Sequence, residues 1–301
     1  MYPIQKKWIQ IISITLMVAS MMLPLKLYAW STPGHEIVDE IAYQLLKPQV
    51  RKQVTMLSYI LSRGPVPYNF RTLGTWPDDI KQESVTAFNA WHFINFPYDG
   101  EGRNQPTIVP PNAAWAFLQA QQVLQSDNAP PFLKAMFLAF FIHIAGDLHQ
   151  PMHCISRLSK QFPKGDDGGN LFPIRYYRTT NLHELWDNGL GIFSQLYYDR
   201  QLQPNRVGAF ANRLMQLYPP QHFGDKIRQT DPWTWARESY QLASTVAYQI
   251  QPGTHPSREY LEAGRTIVYA RLTLAGYRLA YLLNQLMDKP MQFNQRLSLK
   301  E

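Results

Sequence analysis

The apolar run 132–149 carries His143 and Asp147 near its end, and this pairing constrains the chain more than any other feature. Pro130 and Pro131 precede the run and Pro151 follows it, so the pattern predicts a long helix with defined ends. Four residues separate His143 from Asp147, which puts both on one helical face. A His or Asp on such an apolar helix costs several kcal/mol unless it is paired or bound to a metal. The fold must therefore bury this helix and supply partners for its polar pair. The full cluster is His143-Ile-Ala-Gly-Asp147-Leu-His149-Gln-Pro-Met-His153. Gly146, lacking a side chain, would let a metal approach closely. Pro151 can turn His153 back toward the pair. His149 lies on another face and is expected to contact solvent or the rear of the ligands.

The rest of the chain reads as mainly α. Apolar residues recur at helical spacing in 37–46 and 115–124, and 181–190 reads as a further helix. The longest helix is predicted over 258–287, with Leu272, Leu274, Ala275, Leu279, Leu282 and Leu283 on its inner face. Strand signals are sparse. The best is 171–177, after Gly168-Gly169, as one arm of a small hairpin. Segments 65–76 and 96–111 read as loops. No linker, repeat or low-complexity block divides the chain.

A second pair with the same spacing is His183-Glu-Leu-Trp-Asp187, and the tight turn Gly168-Gly169-Asn170 lies between the two pairs. One such pair would be ordinary. Two of them, in a chain where only 17% of residues are charged, point to metal binding. Upstream, Trp76-Pro77-Asp78-Asp79 offers a carboxylate and Trp91-His92-Phe93 a histidine between aromatics. The only cysteine, Cys154, follows His153 and reads as a small buried residue rather than a ligand. No intramolecular disulfide is possible, so stability must come from packing and metals.

The N-terminus adds a chemical argument. Lys6 and Lys7, a short apolar stretch and Leu27-Tyr28-Ala29 have the layout of a secretory signal peptide, cleaved after Ala29. A membrane anchor fits less well. The stretch is short of the roughly 20 residues a span needs, and Gln10, Ser13, Pro24 and Lys26 interrupt or flank it. Cleavage removes three lysines and no acid, which leaves 26 basic against 22 acidic residues, or +4. That excess favours a polyanionic partner only weakly. Cleavage also makes Trp30 the first residue. Its free amine and carbonyl can chelate a metal, with His35 five residues on.

Taken in order, Trp30…Gly34-His35, Trp76-Pro-Asp78, Trp91-His92-Phe93, His143…Gly-Asp147…Gln-Pro…His153, Gly-Gly-Asn170 and Asn181-Leu-His183…Trp-Asp187 resemble the S1/P1 nuclease family. The resemblance extends to Leu274-Ala-Gly-Tyr-Arg-Leu-Ala-Tyr-Leu-Leu-Asn284. It implies a single-domain, multi-helix phospholipase C/P1 nuclease-like fold with at most a small β-hairpin. Domain bounds would be a signal peptide at 1–29, a catalytic domain at 30–288 and a polar tail at 289–301. The missing disulfides suit a bacterial-type member.

The resemblance further implies three Zn2+ ions. One is held by Asp78, His92, His143 and Asp147. A second is held by Trp30, through its amine and carbonyl, and His35, with Asp147 bridging. A third is held by His153, His183 and Asp187. Asp78 would orient the attacking water. Lys81 stands where the family usually has Arg near the scissile phosphate, and it keeps the charge without the bidentate fork. Phe93 would stack on a base, Asn95 stands where known members have Asp, and Asn170 completes the substrate contacts. The implied activity is hydrolysis of single-stranded DNA and RNA to 5′-phosphorylated products, with 3′-nucleotides as further substrates. The implied location is secreted or periplasmic.

Two other readings compete. A zinc phospholipase C shares the implied fold and metals, but Ile155 and Arg157 depart from its pattern after His153, and Asp187 stands where it has Glu. The gap between His153 and His183 is also longer than in phospholipases. A secreted zinc-containing binding protein without turnover would be expected to lack a ligand, and every implied position here is suitable.

Overall fold

The structure, a computed structural model, describes residues 30–62, 67–99 and 107–289. The expected signal peptide lies outside the described residues, as do 65–66 and 100–106 of the two expected loops and all but residue 289 of the expected tail. Ten helices matter here: α1 Thr32–Leu45, α2 Pro48–Leu61, α3 Phe70–Leu73, α4 Trp76–Gln82, α5 Ala113–Gln125, α6 Pro131–Asp147, α7 Leu182–Asp187, α8 Pro204–Leu217, α9 Pro232–Leu242 and α10 Arg258–Leu286. Helices α2, α8 and α9, and α4 beyond Trp76, lie outside the elements expected from sequence.

Local chemistry starts these helices. Proline opens α2, α6, α8 and α9, where its missing N–H costs nothing. Side chains of Asn112, Asn181, Asp231 and Ser257 accept backbone N–H groups at the starts of α5, α7, α9 and α10. Helix α10 is the buried axis. It packs along α1 and also meets α6. The six residues expected on its inner face are all buried, but so are Arg271, Thr273 and Arg278. Those two arginines converge on Glu238 of α9, each within 2.8 Å of its carboxylate. Helix α6 is covered by α5 on one side and by α2 on another.

Two helix ends differ from expectation. Helix α6 stops at Asp147 rather than 149, because His149 N–H and Gln150 N–H tighten onto the carbonyls of Gly146 and Asp147 ahead of Pro151. Helix α7 spans six residues and does not reach 190. Gly189, Leu190 and Gly191 take positive φ in succession, which ends it.

The strands also exceed the one hairpin expected. Strands β1 (Pro97–Tyr98) and β2 (Ser156–Arg157) pair in parallel, β3 (Pro173–Tyr176) and β4 (Thr179–Asn181) form the expected hairpin, and β5 (Tyr197–Tyr198) and β6 (Gln201–Leu202) form another. Two-residue strands are too short for an alternation signal. The pairing of β1 with β2 has a use. With Ile94 N–H on the carbonyl of His153, it ties the His92 segment to the His153 segment. The described part of the other expected loop contains α3 and the first residue of α4.

Candidate metal centre

Six elements bring the candidate ligands together. His35 lies on α1, Asp78 on α4, His92 in a short 3-10 turn, His143 and Asp147 on α6, His153 in the 3-10 turn after Pro151, and His183 and Asp187 on α7. All eight side chains are buried. Their donor atoms form three groups that could hold metal ions, each within 4.8 Å: His35, His143 and Asp147; Asp78, His92 and His143; and His153, His183 and Asp187.

Asp147 stands between the first two groups. One of its oxygens is 3.4 Å from His35 Nε2, and the other is 3.0 Å from His143 Nε2 and 3.5 Å from His92 Nδ1. His92 Nδ1 is also 2.8 Å from His143 Nε2. In the third group His153 Nε2 lies 3.2 Å from His183 Nε2, and Asp187 is 3.5 Å and 3.3 Å from these two nitrogens.

The backbone aims three of these rings. Nδ1–H of His143 donates to the Gly74 carbonyl at 2.7 Å, that of His153 to the His92 carbonyl at 2.7 Å, and that of His183 to the Gly168 carbonyl at 2.8 Å. In the neutral ring each bond fixes the tautomer and leaves Nε2 with a lone pair facing the group, the arrangement metal-binding histidines use. Gly168 offers its carbonyl from a positive φ of 63°, so the glycine turn shapes the site through backbone conformation.

The site also contains polar atoms that protein alone does not satisfy. Among the described residues, both ring nitrogens of His35, Oδ1 of Asp78 and both carboxylate oxygens of Asp147 are buried without a hydrogen-bond partner. Leaving several such atoms unpartnered is costly. A divalent cation would satisfy most of them at once, so the residues fit a metal.

Electrostatics agree. Burial and the neighbouring His143 lower the pKa of His35, and burial lowers that of His92, which favours neutral, ligating rings. Burial opposes ionisation of Asp147, but the charges of His143 and His153 hold its pKa well below the usual carboxylate range. His153 is pushed the other way. Burial lowers its pKa, yet Asp147 and Asp187 raise it to about 9. A cation in the third group would displace that proton, so binding there is coupled to pH.

Trp30 is fully buried, donates its indole N–H to the Gly146 carbonyl at 3.0 Å and packs edge-on against Phe193. Its main chain thus enters beside His35 and α6. The space beside Gly146, expected to let a metal approach closely, is taken by the ring of the candidate ligand His35. A Cβ there would lie 2.9 Å from His35 Nδ1, so the glycine makes room for that ring, which stacks on His143 at 4.1 Å. His149 reaches neither solvent nor a ligand. Its Nδ1–H donates to the Ala145 carbonyl, and its Nε2 accepts from Arg278 at 2.9 Å. Cys154 is buried, as expected, with its thiol on the Leu148 carbonyl.

Beside the third group lies a cleft lined by Lys81, His92, Phe93, Asn95, Met152, His153, Asp167, Gly168, Asn170 and His183. The candidate substrate residues Lys81, Phe93, Asn95 and Asn170 are therefore gathered in one place. Asn170 has already committed its Nδ2 to the Asp167 carbonyl. Met152 and Asp167 carried no sequence signal for this cleft. Gln150 was visible only as part of the Gln-Pro motif, and its amide proves to bind Asp187.

The family model described as S1/P1 Nuclease matches residues 30–288. Among curated proteins, Endonuclease 4 of Arabidopsis thaliana is 29% identical over 282 residues, spanning 86% of this chain and 89% of its own. Nuclease S1 of Aspergillus oryzae is 26% identical over 294 residues, spanning 90% and 96%. Among the described residues no helix is long and apolar enough to cross a membrane.

Proposed function

This chain belongs to the S1/P1 nuclease family, and from that premise we propose a zinc-dependent endonuclease. It hydrolyses phosphodiester bonds of single-stranded nucleic acid. Its substrates are both DNA and RNA, its products are 5′-phosphorylated, and it also dephosphorylates 3′-nucleotides. The observation that supports this best is the meeting of three buried His/Asp groups beside a cleft lined by Lys81, Phe93, Asn95 and Asn170.

In this reading three zinc ions are held by the ligand sets that the resemblance implies, including the amine and carbonyl of Trp30. Zinc supplies, when bound, positive charge against the phosphoryl oxygens and a lowered pKa for water. The chain's own residues do the rest. Asp78, on the first turn of α4, orients the attacking water. Lys81, one turn on, neutralises a phosphoryl oxygen as a point charge. Phe93 offers a stacking face that only an unpaired base can reach, which selects single strands. Asn95 presents both a donor and an acceptor to the base edge, where an Asp would present acceptors alone. Residues 30–288 form the catalytic domain, the 1–29 segment is removed on export, and the mature protein is secreted or periplasmic.

The test is metal analysis of the mature protein combined with cleavage of single-stranded DNA and RNA. The expected result is three zincs per chain, loss of activity and a lower Tm in excess chelator, and recovery of both with zinc. Bound metal adds to folding free energy by mass action. Full activity at an unchanged Tm in chelator, with zinc absent by elemental analysis, would overturn the proposal.

A further inference from the structure

We infer that Asp39 is a positioning residue of the metal centre, acting through the backbone of Gly74 on His143 and on the start of the helix that bears Asp78. Asp39 lies on α1 one turn beyond His35 and is fully buried. Its Oδ2 accepts the Gly74 N–H at 3.1 Å, and the Gly74 carbonyl accepts Nδ1–H of His143 at 2.7 Å. His143 Nε2 then faces Asp147 at 3.0 Å. The next residue, Thr75, accepts the Asp78 N–H at 3.0 Å. One carboxyl group thereby fixes the spacing of three elements that carry His35, Asp78 and His143.

The contact leaves no slack. A Cβ on Gly74 would lie 2.2 Å from Asp39 Oδ2, so this approach requires glycine. Asp39 belongs to none of the three donor groups among the described residues. Nor is it a good device for stability alone. Its Oδ1 is buried with no hydrogen-bond partner among the described residues, and burying a carboxyl costs more than one hydrogen bond returns. Burial and the nearby Glu36 push its pKa well above the usual carboxylate range, so Asn copies the neutral form.

The inference rests on the reading of His143 as a zinc ligand. The experiment compares mature holoprotein with Asp39→Asn and Asp39→Leu. Zinc retention is measured against a graded chelator, folding by circular dichroism, and ligand geometry by the visible spectrum after exchange with Co2+. Asp39→Leu is expected to lose about ten- to a hundredfold in zinc retention, to change the Co2+ spectrum, and to lower kcat with KM held. Asp39→Asn is expected to restore all three. A folded Leu variant with wild-type retention and spectrum overturns the inference. If the Leu variant does not fold, the Asn variant decides: wild-type retention supports the acceptor role, and a tenfold loss overturns it. Wild-type protein that holds no zinc refutes the parent reading instead.

Discussion

Gln150 donates its side-chain amide to Asp187 Oδ1 across 37 residues of sequence. Its own carbonyl oxygen is held by the Met152 N–H, so the amide cannot turn away. On the other side, the Asp187 carbonyl accepts both the N–H and the hydroxyl of Ser31. Asp187 is thus clamped from the α6–Pro151 turn and from the residue after Trp30. Gln150→Leu should free the carboxylate. We expect it to weaken metal binding in the third group by about ten- to a hundredfold and to destabilise the fold by only about 1 kcal/mol. Elemental analysis during dialysis checks this, and retention equal to wild type would show that Asp187 needs no such support.

Asp147 and Asp79 give a test of ligand register. Asp147 lies 3.0–3.5 Å from three imidazoles. Asp79 points the other way and accepts hydrogen bonds from Tyr68 and Thr75. Asp147→Asn should cost several kcal/mol of transition-state stabilisation, or roughly a thousandfold or more in rate, together with bound metal. Asp79→Asn should cost about 1 kcal/mol of stability and leave turnover near wild type. Comparable rate losses in the two variants would show that the ligand register is wrong.

Much of this candidate site was legible because its candidate ligands sit at helical spacing. The pairs His143/Asp147 and His183/Asp187 are each one turn apart, and their order along the chain survives folding into α6 and α7. What could not be read was the support behind them. The carbonyls that aim His143, His153 and His183 belong to Gly74, His92 and Gly168, and any residue type has a carbonyl. Asp39 lies 35 residues from Gly74, with no pattern to connect them. His149 was misplaced for a similar reason. Its partner Arg278 is 129 residues away on α10. The same arginine explains why α10, read as a one-faced helix, buries charge near its middle: Arg271 and Arg278 share Glu238.

That network makes the fold acid-sensitive independently of metal. Burial raises the pKa of Glu238, but the hydrogen bond from Arg278 and the charges of both arginines outweigh it and lower the value from 4.5 to about 2. The group binds its proton less readily when folded than when unfolded. Its stabilisation is therefore complete above pH 4.5 and is lost as pH falls toward 2. Glu238 is partly exposed, so the effect at pH 7 is discounted to about 2 kcal/mol. Glu238→Gln should lower stability by that amount at pH 7, and the gap from wild type should close as pH falls. Urea unfolding of both proteins in chelator, at pH 7 and pH 3, checks this. A gap of constant size would show that the carboxylate charge is not what the arginines hold.

The Trp30 indole is fixed to the Gly146 carbonyl, so its main chain enters beside the candidate ligands at a set place. If its free amine is a zinc ligand, a one-residue extension must interfere. An added Met would move the amine one residue away and put an amide nitrogen, a very poor donor, in its place. Cytoplasmic expression from Met-Trp30 should give protein with about two zincs and a rate lower by roughly a thousandfold, the effect of losing several kcal/mol of charge stabilisation. The control is the same chain exported through its own leader, with Trp30 confirmed as the first residue by mass spectrometry. The extended form must be shown to keep its initiator Met. Since the indole contact is unaffected, both forms should fold, and a difference in metal content then reports the amine alone. Three zincs and an equal rate in the extended protein would refute the terminal ligand, and Trp30 would be a core aromatic beside a smaller metal site.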